Sequence, residues 1–285
     1  MIKFLLIFFF FYCPAGFLLA DIIAHDTISP DYKTENCHFN AIAVSHLDKI
    51  YLTEKNNHEL YELSGDGIII KKTGGFGWDD NNFNYPADIA INAGLNIIVA
   101  DKNNHRLLRF DRTINYITTF PDENRLFDLQ YPIAVEISRD GELFILQENS
   151  FEIVGIDSDR NNILSIGSNV SAAFRLTAPI DIHLNYEEEL LVLEQNGRIL
   201  SYDRYGTPLQ IHLSSTPDEI PKKIIEFDNT IYILTIDNKI LKLTDQQLTE
   251  ISMLPEPMIT DFYQINDQLY LLSQTGTIYI FTSQK

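Results

Sequence analysis

The chain has 285 residues, of which 45% are hydrophobic and 12% aromatic, enough for a sizeable core in a single all-β domain. Forty acidic against 21 basic residues give a formal charge of −19, and no basic cluster interrupts that balance. Such a surface repels phosphate backbones and anionic bilayers, which excludes nucleic acid and leaves proteins, small ligands and cations as partners.

Residues 1–20 read as a secretory signal peptide. Lys3 is a minimal basic start, residues 4–12 are apolar, Pro14 and Gly16 break the run, and Ala20 precedes Asp21 as the cleavage point. The alternative is an uncleaved anchor, although 17 residues interrupted by Pro and Gly sit at the lower limit of a membrane span. Cleavage would place residues 21–285 outside the cytoplasm, in a periplasm or secreted. Cys37 is then the one cysteine left, so a disulfide within the chain is excluded and the core must hold the fold.

Beyond the leader, one short apolar run recurs six times. It appears as Ile50-Tyr51-Leu52, Ile97-Ile98-Val99, Leu143-Phe144-Ile145, Leu190-Leu191-Val192, Ile231-Tyr232-Ile233 and Leu269-Tyr270-Leu271, at spacings of 47, 46, 47, 41 and 38 residues. A partner run precedes each across a turn rich in Asn, Asp and Gly, and a third run follows. The runs are apolar on both faces, as strands covered on both sides are. Six such units predict an all-β fold, a six-bladed β-propeller of four-stranded antiparallel blades. The blades fall near residues 36–73, 83–120, 129–168, 176–214, 221–250 and 257–283. The sixth unit lacks a fourth run, so residues 21–30 are expected to return as its outer strand and close the ring.

Residues 85–91, Tyr-Pro-Ala-Asp-Ile-Ala-Ile, followed by Ala100-Asp101-Lys102-Asn103-Asn104-His105-Arg106-Leu107, resemble an NHL repeat. Asn56-Asn57-His58-Glu59-Leu60 is similar, and Pro132, Pro179 and Pro221 keep the leading Pro in later units, where Asn-His is lost. The resemblance implies a six-bladed propeller. It implies less about activity, since relatives include RNA binders with a basic face, metal-dependent lyases and hydrolases, and exported scaffolds.

Four groups of residues are candidates for chemistry. The Asn-His pairs at residues 56–58 and 103–105 fit turn formation. The position opening each inner strand reads Ala41, Asp88, Ala134, Asp181, a Lys222/Lys223 pair and Asp261. Asp88, Asp181 and Asp261 thus fall on alternate blades around one axis, where three carboxylates would suit Ca²⁺. They are equally read as turn caps, with Lys223 neutralising part of the ring. Glu136 and His183 share an inner-strand position on neighbouring blades, which suits either a buried polar pair or an acid–base pair. The loop at residues 74–82 holds the single Trp, Trp78, a residue type common at binding hot spots; its other reading is a plug in which Phe76 and Phe83 fill a seam under Trp78. There is no phosphate-binding glycine loop, HExxH, CxxC or nucleophile elbow.

The sequence therefore points to an exported, monomeric, non-catalytic propeller without a required cofactor. It would bind a protein or small ligand through the inter-blade loop face, with Trp78, Asp88, Asp181 and Asp261 as contacts. The alternative is a divalent-metal hydrolase or lyase with those aspartates at the channel mouth.

Overall fold

The computed structural model describes residues 22–32, 36–94, 96–121, 129–157, 163–215, 219–253 and 258–283. Residues 1–20, expected to be a leader, lie outside this set. Six four-stranded antiparallel sheets follow one another, each a simple meander from an inner to an outer strand. The inner strands are Phe39–Val44, Pro86–Ile91, Pro132–Ile137, Pro179–Leu184, Pro221–Phe227 and Ile259–Ile265. Four open on proline, which is tolerated at the first residue of a strand because the ladder does not yet need its N–H. A single 3₁₀ turn, Lys102–Asn104, is the helical element among the described residues.

The hydrophobic core is divided into seams. Six clusters of buried side chains each join two adjacent blades. Blades one and two meet through Ala43, Tyr51, Phe83, Val99 and Phe110; blades three and four meet through Phe144, Leu146, Ile182, Val192 and Tyr202. Each blade contributes side chains to two seams, which is why its strands read as apolar on both faces.

Turn chemistry explains the Asn-His signature. His58 and His105 adopt left-handed φ of 58° and 54°, at the turn from second to third strand. Their Nδ1 atoms accept the backbone N–H of Tyr85 (2.9 Å) and Tyr131 (3.3 Å), each just before the leading proline of the next blade. In blade five Asn238, with φ of 64°, takes the same place and its Oδ1 accepts the Ile259 N–H at 2.8 Å. Asn tolerates that backbone region and supplies an acceptor as His does.

A second device lies at the end of the second strand. Glu54, Asp101 and Glu194 are fully buried carboxylates there. Asp101 accepts the Asn84 N–H (2.7 Å), the Asn104 amide (2.7 Å) and Arg106 Nε (2.8 Å). Glu54 accepts the N–H groups of Asn56 (2.9 Å) and Asn57 (2.6 Å). These acids satisfy loop donors that would otherwise be buried without partners.

The ring closes as expected. Strand Ile22–Ile28 pairs antiparallel with Ile278–Ser283, from Ile22 opposite Ser283 to Ile28 opposite Ile278. Ile28 is buried in the seam between blades six and one. Gly67 packs directly on it at φ of 86°, so a side chain there would meet the Ile28 methyl. Deleting residues 22–28 opens the last blade and uncovers an edge. The deletion is expected to lower the thermal midpoint of the whole domain; an unchanged midpoint would show that the strand is dispensable.

Candidate functional site

Around the channel, inner strands of neighbouring blades share no backbone ladder, and side chains tie them instead. Three ties are the alternate aspartates. Asp88 Oδ2 accepts the Val135 N–H of blade three (2.8 Å), Asp181 Oδ2 the Ile224 N–H of blade five (2.8 Å), and Asp261 Oδ2 the Ile42 N–H of blade one (2.9 Å). Two further ties run in the opposite chemical sense. Asn40 Nδ2 donates to the Pro86 and Ala87 carbonyls (both 2.7 Å), and Lys222 Nζ donates to the Ile259 carbonyl (2.8 Å). The remaining seam, between blades three and four, carries the Glu136–His183 pair, with Oε1 and Nδ1 3.5 Å apart. Every seam of the inner ring thus has a polar clasp.

The second oxygen of each aspartate faces the axis. There Lys223 Nζ lies 3.3 Å from Asp181 Oδ1, 3.3 Å from Asp261 Oδ1 and 3.8 Å from Asp88 Oδ1. Asp88, Asp181 and Asp261 are only 7%, 3% and 6% exposed. Burial pushes Asp88 up to about 8 and Asp181 up to about 6, with Lys223 pulling against it, and raises Asp261 as well. Burial also works to lower Lys223, but Asp181, Asp261 and Asp88 outweigh it and hold the ammonium well above its ordinary value. An ammonium thus stands among the three carboxylates, and one oxygen of each carboxylate accepts a backbone N–H.

A cavity of 660 Å³ extends from this cluster along the channel. Glu136, His183 and Tyr263 are part of its lining. Burial first and Glu136 second raise the Tyr263 phenol, with the Val44 backbone working to lower it. The cavity opens among hairpin turns joining first to second strands, with His46, Arg139, Tyr186 and Asn266 at its rim. At that rim the Arg139 guanidinium stacks on Tyr186 (4.5 Å) and pairs with Glu188 (3.3 Å).

Trp78 lies on the opposite face, with the inter-blade loops, and does not meet the aspartates. Its loop is held by Arg106, whose guanidinium donates to the carbonyls of Trp78 (2.6 Å), Asp79 (3.0 Å) and Asn82 (2.9 Å). Asn104 donates to Gly77 O at 2.8 Å. Of the two phenylalanines, Phe83 fills the seam, whereas Phe76 is exposed and rests on His58 at 5.3 Å. Trp78 is 64% exposed and covers neither.

Sequence reading singled out the aspartates, Lys223, Glu136 and His183, all of which the fold brings to one channel. It did not single out Asn40 or the buried acids Glu54, Asp101 and Glu194. The signal for Asn40 is positional: it stands one residue before the ring position on blade one, as Lys222 of the Lys222/Lys223 pair does on blade five.

Two outcomes follow for the axial cluster. Replacing Lys223 with Met leaves buried carboxylates uncompensated and is expected to cost roughly 3–5 kcal/mol; adding D88N, D181N and D261N should recover much of the thermal midpoint. No recovery would mean that Lys223 acts through packing alone. The second concerns pH. A carboxyl whose pKa is raised on folding stabilises fully below its unfolded value near 3.9 and loses that contribution as pH rises through the folded value. The thermal midpoint is therefore expected to fall from about pH 4 to pH 8, more steeply below pH 6, where Asp181 contributes along with Asp88, and to level off above. D88N, which keeps an acceptor for Val135, should flatten the part between pH 6 and pH 8; its persistence would assign that part elsewhere.

Comparison with known proteins agrees with this architecture. The NHL repeat family matches residues 83–110, from the loop before blade two to the end of its third strand. The protein brain tumor of Drosophila melanogaster is 38% identical over 80 residues, which are 28% of this chain and 8% of that protein. Among solved structures, a catalytically inactive virginiamycin B lyase from Staphylococcus aureus with quinupristin superposes with a TM-score of 0.63 at 17% identity, over 88% of this chain and 82% of that one. A streptogramin B lyase structure gives 0.63 at 17% identity, over 88% and 81% of the two chains. At these identities the likeness is one of fold alone. The chain is thus a six-bladed β-propeller that carries a match to the NHL repeat over residues 83–110.

Proposed function

We propose that the protein is an exported, non-catalytic binding module that holds a protein partner on its inter-blade loop face, with Trp78 at the contact. The observation that carries this reading is where exposed apolar side chains gather. Of the fourteen large apolar side chains exposed among the described residues, seven (Phe76, Trp78, Tyr131, Phe151, Ile220, Ile236 and Met258) lie in inter-blade loops or second-to-third-strand turns, which share one face of an antiparallel meander; four lie in turns of the other face and three on outer strands. Large exposed apolar side chains concentrated on one face mark an interaction surface. Arg106 and Asn104 hold the loop backbone in place, so Trp78 is presented with little ordering left to lose on binding. NHL propellers often bind proteins, which is the further support. The leader at residues 1–20 supports export. The three aspartates act in this reading as ring clasps that keep the face rigid, not as direct contacts.

The test is capture from cell-envelope extract on immobilised protein, with the recovered partner then titrated in purified form. Removing both rings in F76A/W78A is expected to weaken that titration by about 2 kcal/mol or more, as hot-spot aromatics do, at an unchanged thermal midpoint. Equal binding by the double variant would move the contact off this face. Stoichiometric Ca²⁺ in the purified protein, with a Ca²⁺-dependent thermal shift, would instead assign Asp88, Asp181 and Asp261 to a metal-dependent hydrolase or lyase.

A further inference from the structure

No basic run interrupts the sequence, yet the fold gathers lysines from separate blades on the inter-blade face. Around the channel mouth there, each residue following a second strand donates its N–H to the carbonyl just before the inner strand of its own blade. Lys55 does so to His38 (3.0 Å) and Lys102 to Tyr85 (3.0 Å). From these fixed starting points the two ammonium groups converge on one ring. Lys55 Nζ lies 5.8 Å and Lys102 Nζ 5.4 Å from the centroid of Tyr85.

The two lysines differ in how far their charge is already used. Lys102 pairs with Glu148 at 2.6 Å. Lys55 forms no ion pair among the described residues; its contact is the Tyr85 ring. The charge around it is positive as well: burial first and Lys55 second lower His38, Glu54 works the other way, and Lys222 adds to the lowering. Tyr85 is itself held in an unusual conformation. Its φ is 70°, a region bulky residues rarely adopt, and His58 Nδ1 accepts its N–H at 2.9 Å. The same His58 carries the exposed Phe76 against its ring at 5.3 Å. One histidine therefore joins the lysine-flanked tyrosine to the apolar pair Phe76 and Trp78.

We infer that the partner docks through a segment that sets one carboxylate against Lys55, with Lys102 as the second cation beside Tyr85, and an apolar side chain on Phe76 and Trp78. This rests on the docking face proposed above and names the chemistry of what it holds. One carboxylate fits and a run of them does not, because Asp79, Asp80 and Glu148 are exposed on the same loops. A nucleic-acid strand, charged at every nucleotide, meets that repulsion throughout. Ammonium-to-carboxylate hydrogen bonds are stronger than those to a neutral amide, which gives the segment its selectivity.

Trp78 is the single tryptophan, so its emission reads occupancy of this face without a label. The mature chain is titrated with the blocked pentapeptide acetyl-Gly-Glu-Gly-Phe-Gly-amide, with its Gln counterpart, and with decauridylate. A saturable change is expected for the Glu peptide at up to about 1 mM, with the Gln peptide at least about fivefold weaker. K55Q, at an unchanged thermal midpoint, should bind the two peptides equally, and F76A should weaken both alike. Equal binding of the two peptides by the unaltered protein, a comparison that needs no variant, would overturn the acidic contact. So would no saturable change with either peptide, tighter binding of decauridylate, or a Glu preference that survives in K55Q. The docking face itself is decided separately: captured partner bound equally well by F76A/W78A removes the face whatever the peptides do, and weakened partner binding keeps it even if the peptides are not distinguished.

Discussion

A ring of blades depends on seams that no backbone ladder crosses. Within a blade, antiparallel pairing satisfies the main chain, but between blades the structure must rely on side chains. This protein meets that constraint at three depths. Apolar clusters fill each seam. Left-handed turn residues reach across to the next blade's first strand in blades one, two and five. Around the channel, polar side chains clasp all six inner-strand junctions.

The alternation of those clasps has a chemical logic. Asp on an even-numbered blade accepts a backbone N–H from the following odd-numbered one. Asn40 and Lys222, on odd-numbered blades, donate to a carbonyl of the following even-numbered one. Three buried carboxylates are costly near one axis, because desolvation and mutual repulsion both disfavour their charged forms. One lysine offsets that cost for all three. In a chain with a formal charge of −19, the channel floor thus sets one ammonium among three carboxylates.

The two faces consequently differ in kind. One carries Phe76 and Trp78 on a loop braced by Arg106 and Asn104; the other opens into a polar channel among acidic hairpin turns, with Tyr186 exposed at its rim. That separation matters because Trp78 and the aspartates, expected from sequence to be contacts on one inter-blade loop face, have different surroundings. Asp88 lies on the innermost strand and points toward the axis, whereas the Trp78 loop folds over Arg106 on the third strand of the same blade.

Much of the architecture was legible from the chain alone. Repeated apolar runs, leading prolines and a missing last strand determined six blades and closure by residues 22–28, because local pairing and turn chemistry are written at fixed spacing. The alternate placement of Asp88, Asp181 and Asp261 and the pairing of Glu136 with His183 were also visible, as equal positions in aligned repeats. Tertiary structure decided what those positions do. Whether an aspartate binds an external cation or a neighbour's backbone depends on which oxygen faces the axis and on Lys223 reaching it from blade five. Whether Trp78 plugs a seam or faces solvent depends on Phe83 filling the seam first. Such choices are made between residues far apart in sequence, when the ring closes and burial sets their cost.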